Sequence, residues 1–251
     1  MHIISYMRLG LGALGCGVAM AATPAAAFSC TPQVNTTTSP YSQSKYQTVI
    51  NNSQALQVQS TSTCLSTADM QDHEIDSDNW HLDGNNMWFG FSGGNKSDRV
   101  ELRGSSFSGS ATGKKWTGKV KILFGGSYST GFTVGQIFGE STQDPIVRLE
   151  FYASRSGVSN HLWAVYRTGT GSAAVQYFDL GAATSSAFTP VTMEYGTSNR
   201  IQVTYGSVVH DFTTNFSYWD NSSKTVYFKA GCYLQEAGSC AVTYSSLTFD
   251  K

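Results

Sequence analysis

Short runs of alternating apolar and polar residues recur from about residue 78 to the end of the chain. They include Lys119–Phe124, Phe132–Phe138, Ile146–Tyr152, Leu162–Arg167, Val175–Leu180, Arg200–Tyr205, Lys224–Gln235 and Ala241–Phe249. Gly, Ser and Asn separate them. Period-two alternation sends successive side chains to opposite faces, so each run suits a strand with one buried face. Many short strands at regular spacing predict an all-β sandwich of the jelly-roll type. No long helical period, internal repeat or linker marks a second domain. At 251 residues the chain can bury a core of its own.

The alternation also sorts the polar residues. In 98–103, Arg99, Glu101 and Arg103 share one face, and Val100 and Leu102 the other. In 226–235, Tyr227, Lys229, Tyr233 and Gln235 lie opposite Val226, Phe228, Ala230, Cys232 and Leu234. Gln136 and Phe138 fall on one side of their run, with Ile137 in the core. Such a face can be ordinary solvated surface. Its density of Arg, Lys, Tyr and Gln also suits a carboxylated sugar polymer. Arg grips carboxylate in a bidentate fork, and Tyr offers a flat amphipathic surface to a sugar ring.

The formal net charge of -1 provides no global field to recruit nucleic acid or a membrane surface. An acidic polymer would therefore need a local basic groove. Arg8, the apolar stretch from Leu9 to Ala22 and the small residues Ala25 to Ala27 have the order of a secretory signal peptide. The expected division is a signal peptide over 1–27 and one domain over 28–251, secreted. The apolar stretch is shorter than the ~20 residues a spanning helix needs. Cleavage would remove Cys16 and leave Cys30, Cys64, Cys232 and Cys240, which allow three pairings. Nearness in sequence favours Cys30–Cys64 and Cys232–Cys240. Residues 30–65, rich in Ser, Thr, Gln and Asn, are expected to form an extended segment tied down by a disulfide. No Cys or His spacing suits zinc, and no acidic loop announces calcium.

Three segments carry a family resemblance. Arg99-Val-Glu-Leu-Arg103 resembles the R-x-E-L-R segment of polysaccharide lyase family 7, the alginate lyases. Residues 227–235, YFKAGCYLQ, resemble that family's C-terminal Y-F-K-A-G-x-Y-x-Q segment. Gln136-Ile-Phe138 sits where the family has Q-I-H or Q-V-H. The likeness covers about residues 78–250. It implies a jelly roll of two curved antiparallel sheets, like that of concanavalin A. It also implies a cofactor-free β-elimination on a polyuronate, either alginate or the related glucuronan, by a monomer.

By the same resemblance, Tyr233, Gln136 and Arg99 are the catalytic residues. Lys229, Arg103, Glu101, Tyr227, Gln235 and Phe138 line the substrate. Arg99 and Gln136 would bind the C5 carboxylate, and Tyr233 would carry protons at C5 and O4. An unperturbed tyrosine ionises near pH ~10, so cations such as Lys229 or Arg103 would have to favour the phenolate. Glu101 is expected to pair with the flanking arginines. Phe138 replaces the family histidine associated with guluronate, whose C5 hydrogen lies anti to the leaving oxygen. In β-mannuronate and β-glucuronate the two are syn, so one tyrosine could be both base and acid. Alternatively, His73, His81, His161 or His210 moves in, His81 being the strongest candidate.

Two rival functions are open to the sequence. Glu74-Ile-Asp76 resembles part of a β-glucanase carboxylate set, but the third position is Asn79, which leaves the acid and nucleophile pair incomplete. A non-catalytic polyuronate-binding protein on the same fold is the other.

Overall fold

A computed structural model describes residues 29–59, 63–171 and 173–251. The expected signal peptide and Cys16 lie outside the described residues. Two antiparallel sheets, each nine-stranded, form the jelly-roll sandwich expected from the alternation. One sheet runs, in spatial order, Val175–Ala182, Val158–Arg167, Asp144–Arg155, Gly131–Gly139, Thr225–Leu234, Arg99–Gly104, Ser53–Val58 and Leu65–Ser66. Phe107–Ser108 adds to the Thr225–Leu234 strand. The second sheet is centred on Asn86–Gly94, Gly238–Phe249, Lys114–Leu123 and Thr189–Tyr195. No helix among the described residues is long and apolar enough to cross a membrane.

The core lies between the sheets. Val100, Leu102, Phe132, Ile137, Leu149, Phe151, Phe228 and Leu234 are fully buried from the first sheet. Trp116, Val120, Phe89, Val242 and Tyr244 meet them from the second. Burying a large apolar side chain contributes about 1.5–3 kcal/mol, so this layer dominates the stability. The phenol of Tyr244 also donates across the layer to the Val134 carbonyl, which satisfies a polar group in a dry place. Both expected disulfides are present. Cys232–Cys240 joins the Thr225–Leu234 strand of the first sheet to Gly238–Phe249 of the second.

The segment from 30 to 65 differs from the expected extended tether. It contains a helix, Ser44–Asn51, and a strand, Ser53–Val58, that pairs with Arg99–Gly104. Tyr46, Val49 and Ile50 bury one face of that helix. The Tyr46 hydroxyl donates to the Tyr244 carbonyl at 2.6 Å and accepts from the Met87 amide at 3.0 Å. Eight residues rich in Ser, Thr and Gln give a weak helical period, and tertiary packing supplies what propensity does not.

Candidate active site

Strand pairing brings the three recognised segments side by side. Tyr233 lies opposite Arg99, and Lys229 opposite Arg103. On its other edge the Thr225–Leu234 strand sets Lys229 opposite Gln136, and Tyr227 opposite Phe138. The next strand sets Arg148 opposite Gln136. All these side chains project from the face turned away from the core, because their neighbours Val100, Leu102, Phe228, Ala230 and Ile137 are buried.

A bulge aligns them. Thr133 pairs with Tyr233 and Gly135 with Ala230, so Gly231 and Cys232 face the one residue Val134. Gly231 has a φ of 145°, and a Cβ there would meet the Val100 carbonyl oxygen at 2.1 Å. Only glycine lets this strand lie so close to the Arg99–Gly104 strand.

The floor of the site is a buried polar network. Glu101 is fully buried and accepts from Gln136 Nε2 at 2.7 Å and from Lys229 Nζ at 3.2 Å. Burial holds the Lys229 ammonium below its usual range; Glu101 opposes that shift, and Arg99 adds to it. The Lys229 ammonium also sits 5.3 Å from the Phe138 ring centroid. Glu101 therefore does not pair with the arginines on either side of it, as expected from sequence. Arg103 instead binds Glu140, which also accepts from Ser106. Alternation put Glu101 and the arginines on one face, but the lysine and amide of adjacent strands reach the carboxylate.

Arg99 has no carboxylate partner among the described residues. Its guanidinium lies 4.8 Å from the Tyr233 ring centroid. The cation beside Tyr233 is thus Arg99, where the sequence suggested Lys229 or Arg103. Arg103 stacks on Tyr227 at 4.4 Å. Burial raises the Tyr227 phenol to about 12, so it stays protonated at neutral pH. Gln235 donates to Thr133 at 2.9 Å and accepts from Arg148 at 3.4 Å, placing it beside the groove.

An open cavity of about 410 Å³ crosses the strands here. Arg99, Gln136, Phe138 and Tyr233 line it, and so do Gln143, Pro145, Arg148 and Arg167. The last four were not singled out from the sequence. Arg148 was legible, because it alternates with Val147 and Leu149 in a predicted strand. Gln143 sits at the turn before the Asp144–Arg155 strand, and Pro145 pairs with Phe138 near the start of that strand, positions that only the fold supplies.

None of the cavity-lining residues is histidine. His81 packs against Trp88 in the opposite sheet at 4.8 Å. His73 contacts Tyr41, and His210 stacks on Phe178 at 3.7 Å. His161 lies on the first sheet but is held by Asp179 at 2.7 Å. Asp76 is buried in the opposite sheet, where it accepts from Thr31 and Asn79. It is therefore structural and far from a hydrolase role.

A family model described as alginate lyase matches residues 38–251. The chain belongs to the alginate lyase family. It is therefore a polysaccharide lyase. No curated protein sequence matches it. Among solved structures, alginate lyase AlyC3 is 19% identical with a TM-score of 0.67, covering 87% of this chain and 98% of that one. A second structure of AlyC3 contains dimannuronate. Alginate lyase A1-II', a member of polysaccharide lyase family 7, is 21% identical with a TM-score of 0.62, covering 82% and 97%. An alginate lyase from Pseudomonas aeruginosa is 17% identical with a TM-score of 0.63, covering 74% and 91%. These likenesses establish the shared jelly roll.

The Ser106 hydroxyl and Arg103 hold the Glu140 carboxyl below its ordinary value of 4.5, against a smaller opposing effect of burial. A carboxyl depressed by folding stabilises the fold above its unfolded value and ceases to do so as pH falls through its folded value. Thermal unfolding of the wild type is expected to lose more on acidification than that of Glu140→Gln. Parallel acid limbs for the two proteins would refute this.

Proposed function

We propose that this lyase cleaves 1,4-linked poly-β-D-mannuronate or glucuronan, with Tyr233, Gln136 and Arg99 at the reacting sugar. The observation that carries the reading is the shared cavity. A guanidinium with no carboxylate partner among the described residues, an anchored amide and a tyrosine line it, with Phe138 where the family has histidine.

The chemistry follows from the donors present. Arg99 and the free N–H of Gln136 hydrogen-bond the C5 carboxylate. Charge that develops there when the C5 proton leaves is then already countered. Glu101 takes one hydrogen of the Gln136 amide, which fixes its donor end towards the groove. The Tyr233 oxygen removes the C5 proton, a double bond forms between C4 and C5, and the C4–O4 bond breaks. The same proton passes from Tyr233 to O4. One residue can serve both steps when proton and leaving oxygen share a face, as in mannuronate and glucuronate. Lys229, Arg103, Glu101, Tyr227, Gln235 and Phe138 shape the surrounding groove. No cofactor is required for this elimination.

The two disulfides support an oxidising destination. Together with the signal-like start, they favour secretion, with residues 1–27 removed and 28–251 acting as one lyase domain and a monomer.

The test is ultraviolet absorbance of the unsaturated product on separate polymers. A rise on poly-mannuronate or glucuronan, with poly-guluronate slower, is expected. Poly-guluronate as the best substrate would sink the syn assignment. Binding without any product would leave a non-catalytic polyuronate receptor.

A further inference from the structure

Most arginines among the described residues face a carboxylate. Arg103, Arg148, Arg167 and Arg200 pair with Glu140, Glu150, Asp144 and Asp211. Arg99 and Arg155 have no such partner. Both guanidinium groups lie over aromatic rings of the same sheet, and both stack on a tyrosine. Arg99 covers Tyr233 at the candidate reacting centre. Arg155 covers Tyr177 at 3.7 Å and also lies 4.9 Å from Tyr152 and 5.4 Å from Trp163.

The arrangement is fixed by the backbone. Arg155 pairs with Val158 across a two-residue turn, Ser156–Gly157, with φ of 51° and 84°. Two positive φ values are the signature of the primed hairpin turn that matches strand twist, so Arg155 sits on a defined corner. Tyr177 is 44% exposed, a large aromatic ring left in water on the edge strand. It is also in register with the site. Gln136 pairs with Arg148, Arg148 with Val165, and Val165 with Tyr177. Three strand steps place Tyr177 roughly 14 Å from Gln136 along that row. The cavity already extends towards it as far as Arg167, on the neighbouring strand.

We infer that Arg155 and Tyr177 form a distal uronate-binding platform at the end of the groove. This rests on the polyuronate reading above. A stacked guanidinium keeps its N–H edge free, and that edge matches a carboxylate. Tyr177 holds its plane and gives the sugar ring an exposed aromatic surface. A polymer long enough to cover both arginines gains a second carboxylate contact. A short oligosaccharide at the reacting centre does not.

The test compares a long polyuronate with the shortest oligosaccharide that the full chain cleaves. Arg155→Ala and Tyr177→Ala are each expected to raise KM for the polymer on the order of tenfold, with kcat nearly unchanged. KM for the short substrate should move less than about twofold, since uniform binding is lost only where the contact is made. Arg155→Lys keeps the charge but not the fork, and is expected to recover part of the loss. An unchanged polymer KM, or equal shifts on both substrates, would overturn the platform. Electrophoresis through a gel containing poly-mannuronate separates this from the catalytic reading. A retarded but inactive wild type, with Arg155→Ala less retarded, keeps the platform and removes the lyase assignment at this centre. A wild type that is neither retarded nor active removes both.

Discussion

Replacing Tyr233 with Phe is expected to lower kcat on poly-mannuronate or glucuronan by about 10²–10⁴-fold, the usual worth of a positioned proton carrier. The substitution removes one oxygen from a half-buried ring that rests against Arg99. The ring, its stacking and the Cys232–Cys240 link beside it all remain. Folding should therefore be undisturbed, and KM should change little, because Arg99 and Gln136 are the residues proposed to hold the carboxylate. A loss of kcat with KM preserved identifies a group that acts in the transition state. Product absorbance under single-turnover conditions checks this. Retention of more than about a tenth of wild-type kcat would exclude Tyr233 as the proton carrier.

The second large effect is on stability. Glu101→Ala is expected to destabilise the protein by about 3–5 kcal/mol, because it strands the buried Lys229 ammonium without its counter-charge. For a chain of this size, that corresponds to a fall in Tm of roughly 6–20 °C. Lys229 is 1% exposed and cannot turn to water without opening the sheet. Glu101 also supports the Lys229 pKa against burial, so its removal lets the ammonium drop further towards the neutral form. Gln136 loses the acceptor that fixes its amide. A milder change, Glu101→Gln, keeps the shape and one acceptor oxygen. It should fold, yet lose kcat/KM, since the amide of Gln136 is then no longer held by charge. A Tm within about 2 °C of wild type for Glu101→Ala would show that the network is not what holds the floor together.

Much of this was legible in the chain. A period of two needs no tertiary information, since pleating alone sends alternate residues to opposite faces. The alternation at Val100 and Leu102, and at Phe228, Ala230 and Cys232, therefore placed Arg99, Lys229 and Tyr233 on one open face before any strand was paired. It also marked the eight strand runs and made a jelly roll the natural closure. The resemblance to the family's motifs added which of those residues are proposed to take part in the reaction.

The partners of each charge were decided elsewhere. Glu101 is two residues from Arg99 and from Arg103 along one strand, at nearly 7 Å rise. It meets Lys229 and Gln136 on adjacent strands instead, which are 128 and 35 residues away in sequence. Cross-strand neighbours are closer than same-face neighbours along a strand, and register alone selects them. The same register put Arg148 beside Gln136, kept the histidines among the described residues out of the cavity, and aligned Tyr177 with the groove. A helix of eight polar-rich residues formed at Ser44–Asn51 because Tyr46 found two backbone partners in the opposite sheet. Sequence alone thus determined the faces of the strands, through local geometry. Tertiary structure decided who touches whom on those faces, because that depends on register, on the bulge at Gly231, and on packing between distant segments.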